Sequence, residues 1–241
     1  MNSIFELDKF VDDSLFLSFR HIVTLILFLF LIILLYTLRQ YYQIKKYGRW
    51  TLFFSLAFSE ISLLLWSSSV DQWHIRYNLP LHLCTISLYL SMYMLAFKSY
   101  FVFEVVYFFG IGGALQAIIT PDLFYTFPHF RFFHFFIAHF AIILASLYMV
   151  WVEKFTVTLK SIIKSMLVLN TFAIIAFFIN KVTGANYMFL SRKPPNISIL
   201  DYLGPYPWYI FSLELVALLM FLLLYLPFFI KKKLAKKVKT F

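Results

Sequence analysis

Residues 78–119 read NLPLHLCTISLYLSMYMLAFKSYFVFEVVYFFGIGGALQAII, two apolar runs broken only by Lys98, Ser99 and Tyr100. How that break is read decides the fold. A hydrocarbon core of about 30 Å takes about 20 apolar residues per helix, with a range of about 17–25. Split at the break, the stretch gives two spans joined as a tight helical hairpin; fused, it gives one. With the split, the same template finds seven spans, at about 20–38, 50–70, 80–97, 101–119, 132–151, 161–180 and 206–229.

Basic residues favour the split. Seven spans put the termini on opposite sides. With the C-terminus cytoplasmic, Arg39, Lys45, Lys46, Arg49, Lys98, Lys154, Lys160, Lys164 and six tail lysines lie inside, fourteen in all. Lys9, Arg20, Arg76, Arg131, Lys181, Arg192 and Lys193 lie outside, seven in all. This two-to-one bias predicts N-out, C-in; six spans break the balance.

Composition agrees. Of 241 residues, 62% are hydrophobic and 13% charged, with a mean hydropathy of +0.83. A soluble domain of this size needs far more polar surface. The chain is therefore expected to be all-α, a polytopic membrane protein with one integral membrane domain over 1–241. The net charge of +10 does not imply nucleic-acid binding, because no extended polar face displays it along a duplex. The lysines between Lys231 and Lys239 follow an apolar run, the pattern of a segment held at the anionic cytoplasmic leaflet. The plasma membrane is the expected location. Residues 1–18, with Glu6, Asp8, Asp12 and Asp13 against Lys9, read as an uncleaved tail.

Within the bundle, Gly110–Ala114 and Gly113–Ala117 are small-xxx-small pairs, which let backbones approach where lipid supplies no hydrophobic drive. Helix 4 is expected inside. Two outer loops, 120–131 and 181–205, are aromatic, the second also broken by Gly184, Pro194, Pro195, Gly204 and Pro205, and both are expected to fold over the outer end as a lid.

Polar residues inside spans should face the interior and pair, since an ionised group at bilayer centre costs about 2.5–3.5 kcal/mol. These are Glu60 on helix 2, Gln116 on helix 4, His139 on helix 5, Asn170 on helix 6 and Glu214 on helix 7. Asn170 and Gln116 read as hydrogen bonds between helices. Glu60 and Glu214 fit that role or an ion path equally.

Cys84, the single cysteine, excludes an intramolecular disulfide. It lies four residues past Pro80, about 6 Å into its span, and His139 lies about 10 Å into helix 5 from the same side. His82 and Cys84 are two residues apart, about 200° around a helix, so they do not share a face. A thiol buried among apolar groups is inert; a catalytic one needs a neighbouring imidazole or cation and donors for an oxyanion. By depth His139 suits Cys84 better than His82 does. The outer loops offer Asn186, Tyr187, Arg192, Asp201 and Tyr202 to a substrate. His82, His129, His134 and His139 lack the spacing of a metal motif, so no metal is expected.

Four phrases occur in order: Leu79-Pro-Leu-His-Leu-Cys84, Phe127-Pro-His-Phe-Arg-Phe-Phe133 followed by His139, Gly184-Ala-Asn-Tyr-Met-Phe-Leu190, and Leu200-Asp-Tyr-Leu-Gly-Pro-Tyr-Pro-Trp-Tyr209. Across nearly the whole chain they resemble the YwaF-like family of bacterial integral membrane proteins. That family looks related to the transmembrane protein 164 acyltransferases, which remodel phospholipid acyl chains. In those relatives a cysteine near the start of a membrane helix is regarded as the nucleophile. The resemblance implies Cys84 in that role, with His139 as the first choice of histidine partner and His82 the second. It implies a phospholipid or other lipid substrate and no cofactor. The alternative is a transporter or ligand-binding membrane protein with Glu60, Glu214 and His139 as its intramembrane polar site.

Overall fold

The computed structural model describes residues 3–11, 15–194 and 199–238. These form seven α-helices: α1 (Phe19–Leu38), α2 (Tyr42–Ser69), α3 (Leu83–Phe97), α4 (Tyr100–Ile119), α5 (Phe130–Trp151), α6 (Leu159–Thr183) and α7 (Trp208–Val238). Asp12, Asp13, Pro195 and Lys239 lie outside the described residues. Six of the helices are long and apolar enough to cross a membrane.

The break at Lys98 is real, and its cause is local. Lys98 closes α3 in the left-handed region at φ 49. Ser99 then caps α4, its hydroxyl accepting the amide of Val102, as serine does at a helix start. Lys98 also pairs with Glu153 at 2.8 Å, and the Tyr100 hydroxyl donates to the carbonyl of Thr156 at 2.5 Å. The hairpin turn is thus fastened to the α5–α6 connection.

Boundaries elsewhere differ from the apolar template. Helix α2 starts at Tyr42 rather than near residue 50. Its first turns carry Lys46 against Tyr42 and Tyr47, and Arg49 against Trp50. Such amphipathic turns are good helix formers that sit at an interface, and an apolar window does not register them. For the same reason α7 runs on to Val238, through Pro227 and the first tail lysines. Helix α3 is the opposite case, starting at Leu83 rather than Pro80. Its 15 residues span about 22 Å, short of the ~30 Å core. Residues 78–82 complete the path as turns and bends.

Helix α4 is the hub. In its apolar window 72% of residues are buried, against 61% in α5, 11% in α1 and 6% in α7. A Cβ added at Gly113 would stand 3.0 Å from Leu83 Cδ2, and one at Gly110 would stand 3.5 Å from Ile142 and 3.7 Å from Ser87. The glycines therefore notch α4 to admit α3 and α5, as the small-residue pattern predicts. Gly48 performs the same service between α2 and α5, where a Cβ would meet Tyr148 at 2.9 Å.

One end of the bundle gathers most of the loops. The tail docks there by a bridge between Val11 and Tyr125 and a bond from Thr126 N to Phe10 O at 2.8 Å. Trp66 Nε1 donates to Phe5 O at 3.0 Å, and Arg20 to Thr126 Oγ1 at 2.9 Å. Residues 184–194 and 199–207 form two short 3-10 turns, Tyr187–Phe189 and Ile199–Tyr202, and no longer helix.

Candidate functional site

Cys84 sits in the first turn of α3, not 6 Å along a helix that starts at Pro80. His82 is the residue that caps that helix, with β-region backbone and no side-chain cap bond. The first helical bond is from Ile86 N to His82 O at 3.0 Å. The amides of Leu83, Cys84 and Thr85 thus precede any intrahelical partner, and the positive end of the helix dipole lies on the cysteine. Cys84 is a free, partly buried thiol. Below it, Ser87 and Ser91 are buried on the same side of α3. The Ser87 hydroxyl donates to Leu83 O at 2.7 Å, while Ser91 Oγ has no partner among the described residues.

Over this entrance lies the loop after α6. Gly184 takes φ +70, a left-handed cap at which a Cβ would stand within 4 Å of the Arg76 guanidinium, and Arg76 Nε donates to Thr183 O at 2.8 Å. Asn180, buried in α6, holds the backbone of Tyr187 on both sides, at 2.8 Å and 3.0 Å. The Tyr187 hydroxyl accepts from Leu79 N at 3.0 Å and donates to Ile75 O at 2.5 Å. Burial pushes that phenol up, so it stays a donor. Its ring meets the His82 imidazole edge-on at 5.0 Å. Met188 and Leu190 of the loop join Leu79 and Leu81 in a small apolar cluster. The expected lid therefore exists, and Tyr187 is its latch.

Other expected substrate contacts are arranged differently. The Asn186 carboxamide closes its own loop, accepting from Ser191 N and Arg192 N and donating to Arg192 O. Arg192, Asp201 and Tyr202 are exposed around the lid. Among the described residues Cys84 Sγ makes no hydrogen bond, so neither His82 nor His139 is bonded to it.

His139 is 7% exposed. Its Nδ1 donates to Phe135 O at 2.6 Å, because a carbonyl only accepts; Nε2 is left unprotonated and able to take a proton. One further pair sits at the α5 entrance, where Arg131 Nη1 donates to His134 Nδ1 at 3.4 Å.

The intramembrane polar residues find partners, and only Asn170 and Glu214 find each other among the described residues. Tyr89 on α3 donates to Glu60 on α2 at 2.8 Å. Asn170 on α6 donates to Glu214 on α7 at 3.1 Å, a bond between helices as expected. Gln116 is a correction: its amide donates to Thr120 Oγ1 at 2.6 Å on its own helix end, since Thr120 closes α4 within reach one turn on. Glu104 was legible only in retrospect. It is 3% exposed and takes Lys164 at 2.5 Å and Ser161 Oγ at 2.6 Å. The signal was Ser161, Lys164 and Ser165 on one face of α6, at spacings of three and four.

Backbone amides left without an intrahelical partner in a first helical turn can hold an oxyanion formed beside them. No curated protein and no solved structure matches the chain. The TMEM164 family pattern does, over residues 16–225, and the chain belongs to that family of membrane proteins.

Proposed function

We propose that this protein transfers acyl groups between membrane lipids, with Cys84 as nucleophile. The observation that carries it is the position of Cys84, in the first turn of a shortened helix, beside amides with no intrahelical partner and two residues after His82, whose ring Tyr187 meets. Family membership and the YwaF-like phrases support it further.

In this mechanism Cys84 Sγ attacks the ester carbonyl carbon of a lipid, and His139 Nε2 takes the thiol proton. The carbonyl oxygen becomes an oxyanion held by the first-turn amides of α3. Collapse breaks the C–O bond, the histidine protonates the departing alcohol, and a thioester remains on Cys84. A hydroxyl of a second lipid then attacks the thioester, giving its proton to the same histidine and returning the thiol. His82, which caps the helix, is the second choice of base. In this reading, which the basic bias supports, the lidded end faces outward from the plasma membrane and the lysine tail meets the inner leaflet.

The transport alternative needs Glu60, Glu214 and His139 in one path. Each of the three bonds a different neighbour, in three different places.

The test is a trapped acyl-enzyme. Protein incubated with a phospholipid bearing a labelled acyl chain should retain a label that neutral hydroxylamine releases. Cys84→Ala should abolish it, His139→Ala should slow it, and Glu60→Gln should leave it unchanged. Undiminished lipid remodelling by folded Cys84→Ala would end the thioester mechanism.

A further inference from the structure

Between α2 and α5, near the docked tail, lies a crevice of about 680 Å³, within the ~300–1,000 Å³ of small-molecule sites. Cys84 does not line it. Phe58, Leu65, Phe133 and Ile137 form its walls, and each is more than 40% exposed toward the surrounding lipid. The mouth at the loop end is closed by Phe5, whose ring lies 5.6 Å from that of Phe130.

Two polar atoms are out of place in such a cleft. Ser59 is 2% exposed, and among the described residues its Oγ has no hydrogen-bond partner. His134 Nε2 is likewise buried without one. The Arg131 guanidinium is always a donor, so its bond to His134 Nδ1 fixes the tautomer with the proton on Nε2. The crevice thus presents an imidazole N–H and a serine O–H within apolar walls. Leaving such a group unmet is costly, and hydrocarbon supplies nothing to relieve it. The group that fits is a carbonyl or carboxyl on an otherwise apolar chain.

We propose that the α2–α5 crevice binds one fatty acyl chain, with the oxygens of its ester or carboxyl group accepting His134 Nε2–H and Ser59 Oγ–H. The chain lies along Phe58, Leu65, Phe133 and Ile137, open on one side to the bilayer. The ligand is either a free fatty acid or one chain of a phospholipid. The site is separate from Cys84 and does not depend on its chemistry.

Full-length protein in lipid nanodiscs tests this with two probes, a diazirine-bearing palmitic acid and a phosphatidylcholine carrying the same chain. Crosslinks should concentrate on peptides 58–69 and 130–137 rather than on α1 and α7, and the probe that labels at lower concentration identifies the source. His134→Phe should weaken labelling about tenfold, the loss of one buried polar contact. Ile137→Trp fills the cleft and should abolish it, with Leu65→Trp read instead if that variant does not fold. Cys84→Ala should leave the crosslinks on peptides 58–69 and 130–137 as they are in the unsubstituted protein. Labelling spread evenly over α1 and α7, persisting in the tryptophan variant, undiminished in His134→Phe, or lost with Cys84→Ala overturns the proposal.

Discussion

Asn180 and Tyr187 are joined by two hydrogen bonds: the Asn180 amide nitrogen donates to the Tyr187 carbonyl at 3.0 Å, and its oxygen accepts the Tyr187 amide at 2.8 Å. A side chain of α6 thereby completes the backbone of the lid, and the Tyr187 hydroxyl passes the restraint on to residues 75–79. Asn180→Leu keeps the volume and removes both bonds, leaving buried backbone groups unmet at about 1–3 kcal/mol each. The variant should melt at lower temperature in detergent. Its Cys84 should react faster with a membrane-permeant maleimide, because the loop over α3 opens more often. Alkylation at the wild-type rate would separate the lid from the cysteine.

Helix α3 is seated against α4 by the absence of a side chain. Gly113→Ala would bring a methyl to 3.0 Å from Leu83 Cδ2, tighter than ordinary contact. Overpacking of this kind costs about 1–3 kcal/mol. Leu83 precedes Cys84, so acyl-enzyme formation should fall further than stability does. Leu83→Ala in the same chain makes room for the methyl and should recover part of both losses. A double-mutant cycle on melting temperature and labelling rate reads the coupling.

The pair Glu104–Lys164 is asymmetric, since the Lys164 side chain is 43% exposed and that of Glu104 4%. Lys164→Met strands a buried carboxylate with Ser161 alone for company; removing one partner of a buried pair costs about 3–5 kcal/mol. Glu104→Gln leaves a lysine that can reach water and an amide that still meets Ser161. The first variant should therefore melt well below the second. Equal melting temperatures would mean that the carboxylate is not held by the lysine.

Much of this architecture was written in local sequence. The hairpin followed from Lys98 and Ser99, and the buried hub from Gly110 and Gly113, because breaks and small residues act within a turn or two. That Asn170 bonds to a neighbouring helix followed from the cost of a polar group in lipid; that its partner is Glu214 did not. The start of α3 was not legible, because Pro80 is an ordinary first residue of a helix. What ends the non-helical path at His82 is the Tyr187 hydroxyl taking Leu79 N, a contact 108 residues away in the chain. The unmet donors of Ser59 and His134 were hidden for the same reason. Only the packing of α2 on α5 removes their partners.

The docked tail should respond to pH through His129. This residue caps α5, its Nδ1 accepting from Arg131 N at 3.0 Å and its Nε2 donating to Glu6 O at 3.2 Å. Its ring stacks on Tyr125 at 4.0 Å and meets the edge of Trp66 at 5.9 Å. Burial pushes the imidazole below its ordinary 6.5; the bond to Glu6 opposes this and the nearby Arg131 charge adds to it. A folded value below the unfolded one means that the unfolded chain binds more protons, so stability rises with pH. The contribution of His129 is full above the unfolded 6.5 and fades as pH falls toward the lowered folded value. Protonation also removes the acceptor for Arg131 N. Hydrogen exchange in residues 3–11 should therefore quicken between neutral and mildly acidic pH. His129→Asn, which keeps a cap but does not titrate there, should flatten that dependence; an unchanged profile in the variant would assign it to another group.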